Sequence, residues 1–340
     1  MLSEADIVAV GRDLAAALPG ASRNPLKAID DKAMDLASQD ADLRAALFRF
    51  VDVVPACRSL DDLARHLSGF LDEVDDRPPS LQVAMRMSES RAGRQALGAA
   101  AAAGVKHMAH RFIVGETPRE ATGVLEELWK NGVATSVDLL GEATITSAEA
   151  DRYAARCREA LEGLVDVYRK LPDRPSLEAD SAGRIPRENL SVKVSALTPL
   201  LRPDAPELGK RDPAGRLREH LRRARELNAH LHIDMESFDS REAVTDLVLE
   251  LLSEDEFREG PSAGLVLQAY LRDSPQLCER VIAWAQSTPR GYPLLVRLVK
   301  GAYWDHEIVE ARQHGRPRRD RKSTRLNSSH VSLSRMPSSA

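Results

Sequence analysis

Five short β-rich runs, each with one polar or ionisable residue set inside it, constrain this chain more than any other feature. Val133 to Leu140 carries Asp138, and Leu190 to Leu197 carries Lys193. Leu231 to Met235 carries Asp234, Gly264 to Tyr270 carries Gln268, and Leu294 to Val299 carries Arg297. A strand buried on both faces normally reads as a continuous apolar run. One intrusion is ordinary, but five in succession are not explained as unrelated accidents of a core. A guanidinium cannot shed its charge when buried, so Arg297 needs an anionic partner, either another side chain or a bound anionic group. Polar groups converging at the carboxyl ends of parallel strands describe the mouth of an α/β barrel.

Single helices are expected between these runs. Thr146-Ser-Ala-Glu149 reads as a capping box, followed by Tyr153, Cys157, Leu161, Leu164 and Tyr168 at helical spacing. Asp212-Pro213 reads as a helix start, with Leu217, Leu221, Ala224 and Leu227 as its apolar stripe. Asp239-Ser-Arg-Glu242 is expected to cap a third helix, with Val244, Leu247, Val248 and Leu251 facing inward. Ser274-Pro275 opens a fourth, with Cys278, Val281, Ile282 and Ala285 on one face. Strands alternating with single helices imply parallel pairing through right-handed crossovers. A full barrel of this kind has eight strands and five are legible, so the expected fold is α/β, an incomplete (βα)8 TIM-type barrel. An open five-stranded, doubly wound sheet is the alternative.

The first hundred-odd residues carry no strand signal. Ala5 to Leu18, Asp30 to Phe50, Leu60 to Leu71 and a tract from Ser80 to Ala109 read as helices. An all-α N-terminal arm or lid is therefore expected over residues 1–115, and the partial barrel over 116–315. Residues 316–340 carry seven Lys or Arg against one acid, Asp320, with seven serines and almost no apolar periodicity. They are read as a basic, serine-rich tail, disordered or artefactual.

Composition narrows the class. The apolar share of 43% suffices for a large core. No apolar run approaches the roughly 18 residues that span a bilayer, and Glu4 and Asp6 stand where a secretory leader has a basic region. Three scattered cysteines, Cys57, Cys157 and Cys278, imply a reducing compartment without a disulfide framework or metal site. His107 and His110 lie three apart on one helix face with no third ligand evident, so they are read as a polar face and no metal is expected. A net charge of −4 gives no reason to expect nucleic acid as partner.

Five motifs then bear on family. Asp138-Leu-Leu-Gly-Glu142, Ser191-Val-Lys-Val-Ser-Ala-Leu197, His232-Ile-Asp234, Leu267-Gln-Ala-Tyr270 and Arg297-Leu-Val-Lys-Gly-Ala-Tyr-Trp-Asp305 occur in that order on the expected strands. Together they resemble proline dehydrogenase, in particular the proline dehydrogenase region of bacterial bifunctional PutA proteins, over roughly residues 80 to 312. The resemblance implies an α/β barrel that holds FAD noncovalently. It also implies oxidation of L-proline to 1-pyrroline-5-carboxylate, the first step of proline catabolism to glutamate, with electrons passed to a membrane quinone. It further implies a cytoplasmic protein, possible peripheral association with the inner face of the membrane, and a homo-oligomer when intact. The motif match stops near Gly315, so the chain is read as a C-terminally truncated fragment, inactive by itself.

Residue roles follow from the same resemblance. Arg297, Asp234 and Lys193 would be catalytic. Arg297 would lie beside the flavin ring, Lys193 would pair with the proline carboxylate or, as a buried structural lysine, with Asp234 or Asp138, and Asp234 would orient and neutralise the two cations. Met235, Gln268, Arg297, Lys300, Gly301 and Ala302 would bind the cofactor. Lys193, Tyr303 and Glu142 would contact the substrate. Two readings from other classes stay open. One is a Schiff-base aldolase using Lys193 as nucleophile, and the other is a non-catalytic helical scaffold.

Overall fold

The computed structural model describes residues 4–17, 40–75, 82–83, 85–86, 89–110, 112–141, 144–301 and 303–317. The chain divides into two compact units, Met1–Phe112 and Ile113–Ala340.

The regular elements among the described residues of the first unit are all helices. It holds α1 (Glu4–Ala17), α2 (Ala41–Val53), α3 (Leu60–Asp72) and α4 (Arg91–Ala109). Each of the last three begins on a side chain that accepts otherwise unpaired backbone N–H groups. The Asp40 carboxylate accepts from Asp42 and Leu43 at 2.8 and 2.9 Å. The Ser59 and Ser90 hydroxyls accept from Asp62 and Gly93 at 3.1 and 3.0 Å. These caps move two expected boundaries: the helix read from residue 30 starts at Ala41, with 30–39 outside the described residues, and the tract read from Ser80 has a start at Ser90. Leu43, Ala46 and Phe50 pack with Leu63, Leu67 and Leu71. A methyl group on Gly98 would overlap the Leu60 carbonyl, so α3 and α4 meet backbone to backbone there.

The second unit is α/β. Its strands β1 (Val137–Asp138), β2 (Asn189–Lys193), β3 (His230–Asp234), β4 (Ser262–Gln268) and β5 (Leu294–Val299) form one parallel sheet in sequence order. Its longer helices are α5 (Pro118–Lys130), α6 (Ser147–Tyr168), α7 (Pro206–Leu227), α8 (Arg241–Leu252), α9 (Ser274–Ser287) and α10 (Trp304–Gln313), and a short helix Pro175–Glu178 with an antiparallel pair Ala179–Asp180 and Gly183–Arg184 lies between α6 and β2. One of the longer helices follows each strand of the parallel sheet, as the alternating pattern implies. The capping box at α6 is present in both directions, with Glu149 Oε2 accepting from the Thr146 N–H at 2.9 Å and the Glu149 N–H donating to Thr146 Oγ1 at 3.3 Å.

Several local expectations are corrected. The first strand is two residues long because its expected beginning belongs to a helix end. Gly132, at φ 79°, and Val133 close α5 by donating to Trp129 and Leu128, a Schellman cap that commits Val133 away from the sheet. The helix α5 itself has an unread signal, Thr117-Pro-Arg-Glu120, in which Thr117 accepts the Glu120 N–H at 3.4 Å. Pro213 does not start α7. The helix starts at Pro206 and carries Pro213 inside, above the side-chain-free Gly209. Ser240 is the residue before α8 but makes no side-chain cap; its hydroxyl donates to the Ser237 carbonyl at 3.2 Å. On α9 the inward face is Leu277 and Val281, while Ile282 is 50% exposed. The strand β5 is not fully buried, with Leu298 70% exposed. It pairs with β4 on one side and with no strand among the described residues on the other, so its outward face lacks the neighbours that burial requires.

The two faces of the sheet differ chemically. Side chains alternate between faces along a strand. Leu190, Val192, Leu231, Ile233, Ala263, Leu265 and Leu267 take one face and enter the large apolar cluster shared with α5 to α9. The alternate positions are Asn189, Ser191 and Lys193 on β2, then His230, His232 and Asp234 on β3. Ser262, Gly264, Val266 and Gln268 continue them on β4, and Leu295, Arg297 and Val299 on β5. The polar intrusions in the five runs are thus one face of one sheet.

Candidate active site

On this second face four charges form a row across neighbouring strands. Lys193 and Asp234 are register partners at the ends of β2 and β3. The Lys193 ammonium is hydrogen-bonded to the Asp138 carboxylate at the end of β1 and lies 3.6 Å from Asp234 Oδ2. Arg297 Nη1 donates to Asp234 Oδ1 at 2.8 Å. The order Asp138, Lys193, Asp234, Arg297 alternates in sign and is formally neutral. That alternation sets each ion of Lys193, 10% exposed, and Asp234, 17% exposed, against an opposite charge and offsets part of the cost of taking them out of bulk water. The anionic partner that Arg297 required is therefore a side chain.

Arg297 is held at more points than its ion pair. Nη2 donates to Ser136 Oγ at 2.9 Å, and Nη1 lies 3.5 Å from Ser191 Oγ. Ser136 in turn donates to Asn189 Oδ1 at 2.9 Å. These donor and acceptor contacts fix the plane of the guanidinium. Toward the amino ends of the strands lies a second tier. His230 Nδ1 is 2.8 Å from Ser262 Oγ, and its Nε2 is 3.1 Å from His232 Nδ1. Burial pushes both imidazoles down to about 3, with the Arg297 charge adding to the effect on each. Both rings are therefore neutral and leave the charge balance of the row above undisturbed.

Gln268 ends β4. Its Nε2 donates to the Glu236 carbonyl at 2.9 Å, while its Oε1 is buried without a partner among the described residues. Glu236 is pinned in turn by the Ser195 hydroxyl. Beyond β5 the chain stays close to β4, because Tyr270 N–H donates to the Lys300 carbonyl at 2.9 Å. Gly301 follows at φ 123°, and a side chain there would fall inside the Tyr270 ring. Tyr303 caps α10.

The structure thus brings Lys193, Asp234 and Arg297 together, with Gln268, Lys300 and Gly301 on the neighbouring strand ends. Met235 is different, since its side chain packs in the apolar cluster at 7% exposure. Glu142 and Ala302 lie outside the described residues. Sequence reasoning quoted Ser191, Ser195 and His232 within motifs but gave them no role, and it missed Ser136, Asn189, His230 and Glu236. Counting back two residues at a time from Lys193 reaches Ser191 and Asn189, and from Asp234 it reaches His232 and His230. The strand period held that information. Ser195 and Glu236 had no such signal, because they sit in turns past the strand ends.

A buried unpaired carbonyl oxygen, a fixed guanidinium and a close glycine approach suit a planar heterocycle with N–H donors and a negative charge. Residues 121–330 match the proline dehydrogenase family and residues 4–112 match the proline utilization A N-terminal domain. The first match runs past Gly315, where the motif resemblance stops. The bifunctional protein PutA of Klebsiella aerogenes is 31% identical over 208 residues, which are 61% of this chain and 15% of that protein. That of Rhizobium meliloti is 31% identical over 244 residues, 71% of this chain and 18% of that protein. The chain thus spans under a fifth of the length of these relatives. The crystal structure of proline utilization A from Bdellovibrio bacteriovorus, inactivated by N-propargylglycine, superposes with a TM-score of 0.79 at 31% identity. That superposition covers 97% of this chain and 32% of the other. This chain belongs to the proline dehydrogenase family.

Proposed function

We propose that this chain carries the substrate and flavin site of an FAD-dependent proline dehydrogenase that oxidises L-proline to 1-pyrroline-5-carboxylate. The observation that carries the reading is the neutral row Asp138, Lys193, Asp234 and Arg297 at or near the carboxyl ends of adjacent parallel strands. Oxidation removes a hydride from the ring carbon beside nitrogen and a proton from the nitrogen, leaving a C=N bond. FAD, when bound, supplies the hydride acceptor.

The chain's own residues must anchor the carboxylate and hold the ring in one orientation. Lys193 offers an ammonium to the carboxylate. Asp234 holds Lys193 and Arg297 at fixed separation. Arg297 is a permanent cation that favours an anionic reduced flavin. The Gln268 Oε1 would accept an N–H of the flavin's pyrimidine edge. Lys300 and Gly301 would receive the cofactor closely, with Ala302 beside them. Tyr303 and Glu142 would contact the substrate. The electron acceptor is proposed to be a membrane quinone, reached by peripheral association. No helix among the described residues is long and apolar enough to cross a membrane.

The aldolase reading is disfavoured by the same geometry. An ammonium engaged by two carboxylates, Asp138 and Asp234, has no lone pair with which to attack a carbonyl.

The test is anaerobic mixing of FAD-loaded protein with L-proline or D-proline while the flavin absorbance is followed. L-Proline is expected to bleach the flavin in a single turnover and D-proline to leave it oxidised. Protein that holds flavin yet stays oxidised in saturating L-proline sinks the proposal. Single turnover is the appropriate readout because the second edge of β5 is without a strand partner among the described residues. We propose that this open edge makes steady-state turnover by these 340 residues alone negligible.

A further inference from the structure

Lys193 is not a cation waiting for a ligand. Its ammonium is hydrogen-bonded to Asp138 and lies 3.6 Å from Asp234. A substrate carboxylate arriving at Lys193 would place a third anion against two cations, Lys193 and Arg297, so one resident carboxylate has to yield. Asp234 cannot do so readily. It lies between both cations, bonds Arg297 at 2.8 Å, and its side chain is 17% exposed. Asp138 is placed to yield. Its side chain is 34% exposed, it ends a strand of only two residues, and the chain turns away three residues later at Gly141, at φ 83°.

Resting on the proline-oxidising reading, we propose that Asp138 is a specificity-determining residue that occupies Lys193 in place of the substrate carboxylate and is displaced when a ring carboxylate binds. The resident carboxylate holds the ammonium in position before binding, so the anchor is preorganised. It also sets a threshold, since a ligand gains at Lys193 only the difference between its own carboxylate and that of Asp138. Affinity is thereby kept moderate, which leaves binding energy for the transition state. A dicarboxylate meets further repulsion from Asp138 and Asp234, so the site favours a single carboxylate on an otherwise uncharged or cationic ring.

The test compares the FAD-loaded 340-residue chain with FAD-loaded Asp138→Asn by calorimetric titration with two ligands. These are tetrahydrofuran-2-carboxylate, which has the ring and the charge but no amine to oxidise, and its neutral carboxamide. Removing one negative charge within a few ångströms of the incoming carboxylate should tighten carboxylate binding on the order of tenfold, and change carboxamide binding by less than about twofold. Asp138→Glu restores the charge and should restore weak binding. Unchanged or weaker carboxylate binding by Asp138→Asn means Asp138 merely props Lys193, and overturns the proposal. Equal tightening for both ligands, or tightening by Asp138→Glu, overturns it as well, because shape rather than charge is then responsible. Should Asp138→Asn fail to fold, Asp138→Ser reads the same difference. If neither wild type nor variant binds the carboxylate, the proline reading itself fails. If both bind it alike, only the role of Asp138 fails.

Discussion

Replacing Asp234 by asparagine keeps the shape of the side chain and removes the charge that Arg297 and Lys193 share. At the observed 2.8 Å the Asp234–Arg297 attraction is about 6 kcal/mol for an effective dielectric near 20. Most of that does not appear as stability, because both ions gave up water on folding. The Arg297 side chain is 35% exposed, so solvent screens part of the remainder, and Lys193 keeps Asp138 as a partner. The expected net loss is about 2–3 kcal/mol, somewhat below the roughly 3–5 kcal/mol that breaking a fully buried pair costs. For a unit of this size that corresponds to a fall in Tm of roughly 5–10 °C. Tryptophan fluorescence isolates the relevant transition, since Trp129, Trp284 and Trp304 all lie in the second unit. A double-mutant cycle with Arg297→Met then isolates the pair. Coupling above about 1 kcal/mol is expected, and coupling below about 0.5 kcal/mol would refute the assignment of Asp234 as the ion that holds Arg297.

Three further outcomes are expected. His230 and His232, held at about 3 when folded against 6.5 when free, bind fewer protons in the folded chain than in the unfolded chain between those values. Stability therefore rises with pH there and is lost as pH falls below 6.5, by up to about 1.4 kcal/mol per pH unit per ring. Urea unfolding at pH 7 and pH 5 should show a smaller difference in His230→Asn/His232→Asn, and an identical difference would count against neutral buried rings. Gly301→Ala combines φ 123° with a methyl inside the Tyr270 ring, so it should shift the loop and weaken flavin retention on gel filtration at least about tenfold. Retention equal to wild type would remove the loop from the cofactor site. Lys193→Ala should raise the Kd for L-proline by a factor corresponding to a few kcal/mol, and unaltered proline affinity would place the carboxylate anchor elsewhere.

The amino-acid sequence by itself determined the class of fold and which strands carry the charged residues of the candidate site. Alternating β runs and helical stripes identified the parallel sheet, because the two periods, 2 and 3.6, are dictated by backbone geometry and survive any tertiary context. The polar residues inside Leu190–Leu197, Leu231–Met235 and Leu294–Val299 marked the site, because charge inside an apolar run demands a partner. Boundaries were less legible where two local signals competed for one segment. Val133 belongs by composition to a strand and by hydrogen bonding to the cap of α5, and Pro213 imitates a helix start inside a helix that begins at Pro206. Only the tertiary structure decided which carboxylate meets which cation. Asp138 and Asp234 are equally plausible partners for Lys193 in sequence, and the register of β1, β2 and β3 gives Lys193 both. It also decided that Ser136, Asn189 and Ser191 steady Arg297, which lies more than a hundred residues further along the chain from each. Such pairings depend on the relative positions of strands that are distant in sequence, and positions of that kind exist only once the sheet has formed.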